Sequence, residues 1–189
     1  MPTNTTTHPT AEAFDYIVIG AGTAGCLMAN RLSADPANKV LLIEAGGRDN
    51  YHWIHIPVGY LYCINNPRTD WLFRTEPDKG LNGRSLIYPR GKTLGGCSSI
   101  NGMIYMRGQP QDYDHWRQLG NAGWSWDDVL PYFRKLETDV DFRGDFHGTD
   151  GPIPVRRYRR QDMVPHAKAF YEACLAEGFP EALDHNHPD

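Results

Sequence analysis

The sequence predicts an α/β protein built on a parallel sheet, and three observations lead there. Tyr16-Ile17-Val18-Ile19 is a short, continuous apolar run rich in branched residues, which suits a strand buried on both faces. Three glycines follow at once, Gly20, Gly22 and Gly25. Residues 25–32, GCLMANRL, then place Leu27, Met28 and Leu32 at helical spacing without a proline, and a second apolar run, Lys39-Val40-Leu41-Leu42-Ile43, ends in Glu44. Strand, glycine turn, helix and strand within about 30 residues make a right-handed, parallel βαβ unit.

Each glycine has a physical job in such a unit. Gly20 allows the tight exit from the strand, the bare backbone at Gly22 lets a pyrophosphate approach, and Gly25 lets the helix pack close to the sheet. The helix N-terminus offers free N–H groups and a partial positive charge to the phosphates. Glu44, at the carboxyl end of the second strand, can accept hydrogen bonds from ribose hydroxyls. A lone glycine turn could be only a turn, but here it follows a strand, opens a helix and is matched by an acid at the next strand end. That context reads as dinucleotide binding. FAD and NAD both fit, and the acid argues only against a 2′-phosphate.

Composition narrows the class. The 189 residues suffice for a domain with a real core. Hydrophobic residues make up 40% and charged ones 22%, so the chain is neither disordered nor membrane-spanning, and no apolar run reaches the roughly 18 residues of a membrane helix. A net charge of −4 argues against a general polyanion binder. The run Arg156-Arg157-Tyr158-Arg159-Arg160 could suggest nucleic acid, yet one short basic run on an acidic chain reads as a solvated face, so no nucleic-acid partner is expected. Residues 1–13, MPTNTTTHPTAEA, read as a floppy tail without the basic start and apolar middle of a secretory signal. Cys26, Cys63, Cys97 and Cys174 match no zinc or CxxC spacing, so reduced thiols in a cytoplasmic protein are expected.

A second glycine cluster, Gly91, Gly95, Gly96 and Gly102, lies within YPRGKTLGGCSSINGMIYMRG, residues 88–108. Small residues interleaved with glycine suit backbone running flush against a flat ligand, although an ordinary irregular loop has the same composition. Together with the first turn and Glu44-Ala45-Gly46-Gly47, this segment resembles the glucose–methanol–choline (GMC) family of flavin alcohol oxidoreductases. The stretches Asp112-Tyr113-Asp114-His115-Trp116, Gly123-Trp124-Ser125-Trp126-Asp127-Asp128-Val129-Leu130-Pro131-Tyr132-Phe133 and Phe146-His147-Gly148-Thr149-Asp150-Gly151-Pro152 resemble it too. The likeness runs from residue 14 onward and is nearest to the choline-dehydrogenase-like and aryl-alcohol or hydroxymethylfurfural oxidase branch.

The resemblance implies a Rossmann-like FAD-binding domain and an FAD site. Gly20, Gly22, Thr23, Ala24 and Gly25 would hold the pyrophosphate, with Glu44 and Ala45 at the adenosine ribose. Arg90, Thr93, Gly95 and Gly96 belong to the segment that would run beneath the flavin, with Thr93, Asn101, Gly102, Met103 and Ile104 at its ring end. Some members tether the flavin through a histidine just before the motif asparagine. Here that position is Ile100, which has no nucleophilic nitrogen, so non-covalent FAD is expected.

The activity implied is oxidation of a primary alcohol, with a histidine as general base and hydride transfer to flavin N5. The family's base lies near its C-terminus, so the chain looks like the amino-terminal third of such an enzyme. The base is then expected beyond residue 189 and the isolated piece is expected to be inactive. Residues 14–110 would be FAD-binding domain and 111–189 an insertion and the start of an α+β substrate domain. The rivals are an NAD(P)-dependent dehydrogenase, against which GGCSSIN speaks, and a non-catalytic FAD-binding fragment. None of the histidines at 8, 52, 55, 115, 147, 166, 185 and 187 stands where the family puts its base, and all read as solvated or locally bonded, with no metal site.

Local patterns complete the reading. Residues 53–62, WIHIPVGYLY, should be irregular because Pro57 and Gly59 interrupt them. Residues 70–77 and 85–88 should pair as a hairpin through Asn82-Gly83. Ser125 with Asp128 predicts a capping box for a helix bearing Val129, Leu130, Phe133 and Leu136 on one face and bent at Pro131. Asp162 should cap a last helix, with Val164, Phe170 and Cys174 on its face, stopped at Gly178.

Overall fold

The computed structural model describes residues 12–187, so the expected tail lies outside the described residues up to position 11. The chain divides into two compact units, one running to Ile104 and the other starting at Tyr105.

The first unit opens with β1 (Tyr16–Ile19), α1 (Thr23–Leu32) and β2 (Val40–Ile43). The strands pair in parallel, Tyr16 opposite Val40 through Ile19 opposite Ile43. The helix stops where Ser33 and the Asp35-Pro36 turn begin. There Asn38 Nδ2 donates to the Leu32 carbonyl, 3.0 Å, and Asp35 accepts from Ala37 N–H, 2.9 Å. Residues 53–62 are irregular, as their Pro and Gly require: two short 3₁₀ turns, His52–His55 and Pro57–Gly59, lead into the single turn α2 (Tyr60–Cys63). Gly59 is buried against the backbone of Trp53, where a Cβ would collide with the Trp53 carbonyl.

β3 (Phe73–Arg74) and β4 (Ile87–Tyr88) form the expected antiparallel hairpin, but its regular part is much shorter than residues 70–77. Leu72, with φ +59°, breaks the extended backbone. The Asn-Gly pair is also used differently. Asp78 caps a 3₁₀ turn at Lys79–Leu81, and Asn82 and Gly83, with φ of 55° and 73°, close a longer loop.

The second unit contains α3 (Pro110–Gln118), α4 (Trp126–Leu136), β5 (Glu137–Asp139), β6 (Ile153–Val155) and α5 (Pro165–Ala176), with β5 and β6 parallel. The capping box at Ser125 is formed, and the helix runs on through Pro131 to Leu136. Val129, Leu130, Phe133 and Leu136 are half-buried. Trp126 and Phe133 pack with Tyr113 of α3 at ring separations of 5.8 Å each. Asp162 does not cap α5. It closes a 3₁₀ turn and pairs with Arg159, 2.7 Å. The cap is Val164, because Pro165 at the first helical position starts the helix with its fixed φ. Gly178, φ +86°, follows the last turn as expected. No helix among the described residues is long and apolar enough to cross a membrane.

Candidate functional site

The site is built where β1 and β2 end. Gly20 leaves β1 with φ +91° and donates its N–H to the Ile43 carbonyl, 2.7 Å, closing the ladder. Gly22 precedes α1 with no side chain capping it. The leading amides of Thr23, Ala24 and Gly25 therefore face the turn at the positive end of the helix. A Cβ on Gly22 would meet nothing within 4 Å, whereas one on Gly25 would collide with the Gly20 carbonyl. The two glycines thus do separate jobs: Gly25 is bare because protein presses on it, and Gly22 is bare over open space.

Glu44 sits against this turn. Its Oε2 accepts from Ala21 N–H and its Oε1 from Gly46 N–H, both 2.7 Å. It therefore braces the backbone of the turn, a role the sequence did not reveal. The two glycine clusters, far apart in sequence, meet here. Gly95 N–H donates to the Ala21 carbonyl, 2.7 Å, and a Cβ on Gly96 would lie 2.8 Å from Gly22 Cα. Thr93 is buried, its Oγ1 donating to the Gly47 carbonyl, 3.2 Å. Ala45 is exposed between these contacts.

The remaining expected residues lie apart from that junction. Arg90 is not aimed at the turn: its guanidinium stacks on Tyr88, 3.7 Å from the ring centre, and donates to the Pro89 carbonyl, 2.7 Å. Asn101 accepts from Met103 N–H, 2.9 Å, and Gly102, Met103 and Ile104 continue as an exposed strip. Ile104 is 84% exposed and Met103 has φ +58°. Ile100, one residue earlier, is buried at 3%.

The site fits a dinucleotide on grounds of shape and charge. Bare backbone at Gly22, uncapped amides at a helix N-terminus and a second glycine segment alongside are what a pyrophosphate needs. Fit also makes a prediction. Gly22→Ala should leave the unfolding midpoint within the about 0.5 kcal/mol of a neutral change, since its φ of −79° is ordinary and its surroundings are open. The same variant should lose most of its bound dinucleotide, read as cofactor per protein after gel filtration. Full cofactor content in that variant would place the ligand elsewhere.

The second unit holds a cluster that the sequence reading missed. Glu137 and Asp139, on β5, and His147 are all buried. Arg107 Nη2 donates to Glu137 Oε1, 2.7 Å, and Gly148 N–H to the same oxygen, 3.0 Å. Arg157 Nη1 donates to both oxygens of Asp139, and its Nη2 to Asp184 Oδ1, 2.6 Å. The basic run is therefore not simply a solvated face, because Arg157 is part of a buried network. His147 Nδ1 lies 3.0 Å from Asp139 Oδ2, and its Nε2 lies 2.9 Å from Asp184 Oδ2 without the alignment of a hydrogen bond. The Tyr105 hydroxyl is pushed up to about 12, first by burial and then by the Glu137 carboxylate. Only assembly in space could show this cluster, since its members span residues 105–184.

Donor atoms of Glu137, Asp139 and His147 lie within 4.8 Å of one another, close enough for a metal ion. Guanidinium groups already bonded to the Glu137 and Asp139 carboxylates weigh against that reading. Three carboxylates face two arginines and one imidazole there. Chelator treatment is therefore expected to leave the unfolding midpoint unchanged, and a fall would reassign the cluster to a metal.

Acid should weaken the cluster. Burial works to raise the Glu137 carboxyl, but the Gly148 N–H, Tyr105 and Arg107 outweigh it and hold it below its ordinary value. Asp139 and Asp184 are likewise lowered against burial, with Arg157 bonding both. The folded chain then binds fewer protons than the unfolded chain through this range. These carboxylates contribute fully above the ordinary carboxylate value, about 4, and their contribution is lost as pH falls through their lower folded values. Unfolding free energy should fall as pH drops below about 4, as urea titrations across pH would show. A rise over that acid range would contradict the assignment.

A parallel βαβ unit whose glycine turn lies open over a helix N-terminus is the architecture of dinucleotide-binding proteins. Residues 14–189 match the family model for GMC oxidoreductases, and the chain belongs to that family. GMC oxidoreductases are FAD-binding flavoproteins. An alcohol dehydrogenase [acceptor] of Pseudomonas putida is 48% identical over 163 residues, 86% of this chain and 29% of that protein. An oxygen-dependent choline dehydrogenase of Photobacterium profundum is 43% identical over 173 residues, 92% of this chain and 30% of that one. Among solved structures, pyridoxine 4-oxidase from Mesorbium loti superposes with a TM-score of 0.83 at 37% identity, covering 93% of this chain and 34% of the oxidase. A formate oxidase of Aspergillus oryzae gives 0.73 at 30% identity, with 89% and 30% covered. The chain thus spans less than a third of the length of the curated relatives it matches.

Proposed function

We propose that residues 14–110 form the Rossmann-like FAD-binding part of an enzyme that oxidises a primary alcohol, and that residues 111–189 begin its substrate domain. The observation that carries this reading is the junction of the two glycine clusters, Gly95 N–H on the Ala21 carbonyl beside the open Gly22. A nicotinamide site needs the first cluster and gives no reason for the second.

In this reading the amides of Thr23, Ala24 and Gly25 receive the pyrophosphate, and bare Gly22 admits it. Glu44 keeps its bonds to Ala21 and Gly46, and the further lone pairs of its carboxylate accept from ribose hydroxyls, beside Ala45. Arg90, Thr93, Gly95 and Gly96 belong to the segment beneath the flavin, and the Asn101–Ile104 strip borders the ring. Bound there, FAD supplies a hydride acceptor for the carbinol carbon. Ile100 offers no nucleophile and is turned into the core, so attachment is non-covalent. Relatives named for alcohol, choline and pyridoxine support a small alcohol as substrate class here. Free thiols at Cys26, Cys63, Cys97 and Cys174 suit the cytoplasm.

The test is the flavin absorbance of the purified protein before and after acid precipitation. A yellow supernatant is expected. A yellow pellet would refute non-covalent attachment, and a colourless protein that binds NADH would refute the flavin reading.

A further inference from the structure

Asp70 lies outside the glycine clusters, yet it is nearly fully buried, 2% exposed, and its carboxylate is spent entirely on backbone. Oδ2 accepts from Asn65 N–H, 2.8 Å, and Oδ1 from Leu72 N–H and Arg90 N–H, 3.0 Å each. Burial works to raise this carboxyl, but the N–H groups of Asn65, Arg90 and Leu72 outweigh it and keep it below its ordinary value. The group is a buried anion held by amides, with no side-chain cation among these partners.

What those amides belong to gives the arrangement its meaning. The Arg90 bond fixes the start of the second glycine segment. A short antiparallel contact continues it: Trp71 N–H donates to the Arg90 carbonyl, 2.9 Å, Asp70 bridges to Gly91, and Lys92 N–H donates to the Thr69 carbonyl, 2.8 Å. On its other side the segment is bonded to the exit of β2, through Gly47 N–H on the Lys92 carbonyl, 3.2 Å, and Leu94 N–H on the Gly47 carbonyl, 2.9 Å. Gly91 packs directly on the carbonyl of Gly96, and Gly96 in turn lies against Gly22. An unbroken run of backbone contacts therefore leads from the Asp70 carboxylate to the glycine over which the pyrophosphate is placed.

We infer that Asp70 is a positioning residue for the cofactor: its carboxylate sets the Arg90–Gly96 backbone at the height that leaves room for the dinucleotide beside Gly22. The inference rests on the flavin reading above. Neutralising the carboxylate removes charge-assisted bonds at one end of this run, and Gly96 is free to shift against Gly22. The loss of such bonds corresponds to about a tenfold to hundredfold weaker binding.

The test is FAD titration of the deflavinated protein, comparing Asp70→Asn with the parent and with Asp78→Asn. Asp78 likewise accepts from a backbone N–H, that of Gly80, 2.7 Å, but in the exposed hairpin loop. Expected is a Kd for FAD raised about tenfold to a hundredfold in Asp70→Asn and unchanged in Asp78→Asn. Visible-region circular dichroism at saturating FAD should also differ from the parent in Asp70→Asn alone. That second signal separates positioning from stability, because a variant that is merely less stable regains the parent spectrum once saturated. Parent-like Kd and spectrum in Asp70→Asn would overturn the inference, and so would a raised Kd with a parent-like saturated spectrum. If Asp70→Asn does not fold, Asp70→Glu, which keeps the charge and moves it by one methylene, must show the altered saturated spectrum, and a parent-like one overturns the inference. Failure of the parent itself to bind FAD would instead overturn the flavin reading.

Discussion

Gly25→Ala is expected to be among the most damaging single-methyl changes in this chain. In an ordinary helix the substitution would be favourable by about 1 kcal/mol, because alanine is the better helix former. Here the added Cβ would be driven into the Gly20 carbonyl, with Val18 Cγ1 only 3.4 Å away. Gly20 cannot retreat, since its N–H closes the ladder to Ile43 at 2.7 Å. A side chain could swing aside, but this neighbour is backbone, so α1 must lift from the sheet. Overpacking of this kind costs about 3 kcal/mol, several times the propensity gain. It is a large share of the about 5–15 kcal/mol that holds a domain together. The urea midpoint should fall and flavin content with it, because the lifted helix carries away the amides proposed to receive the pyrophosphate. The contrast with Gly22→Ala is the sharper test: one variant loses stability and flavin, the other flavin alone. An unchanged or raised midpoint in Gly25→Ala would refute the close packing.

The second large effect is expected at Glu137. This carboxylate is fully buried and accepts from Arg107, Gly148 and, more distantly, His147 Nδ1 at 3.3 Å. Glu137→Gln keeps the shape and removes the charge. The amide oxygen can still accept at the Oε1 position, where Arg107 and Gly148 donate, so what is lost is the charge, and Arg107, with 2% of its side chain exposed, keeps a buried charge with less to balance it. Breaking one side of a buried pair costs about 3–5 kcal/mol. The loss should appear as a lower denaturation midpoint at neutral pH. The variant should also show a shallower fall of stability on acidification, since one of the three titrating carboxylates is gone. A neutral-pH loss below about 1 kcal/mol would place this pair with exposed salt bridges and contradict its burial.

Much of the first unit was legible in the sequence because its signals are local. The strand, the glycine turn and α1 are written in consecutive residues, and the close packing at Gly25 followed from its place in that turn. Ser125 and Asp128 announced α4 for the same reason, as both partners of the box lie within one helical turn. Local reading failed where two local signals competed. At α5 the proline at position 165 prevailed over Asp162 as the start of the helix, and at the hairpin a left-handed Leu72 cut short a strand that composition favoured.

What the sequence by itself determined is the βαβ unit, its glycine turn and the family to which the motifs belong, since each is a pattern within a few tens of residues. Only the tertiary structure decided that Glu44 braces Ala21 and Gly46, that Asp70 holds the second glycine segment, and that His147 lies among three carboxylates and two arginines. These arrangements join residues such as Arg107 and Glu137, or Asp139 and Arg157, through burial. Burial of a charge is compensated by whichever opposite charge or N–H the folded chain brings near, and no spacing along the sequence encodes which one that will be.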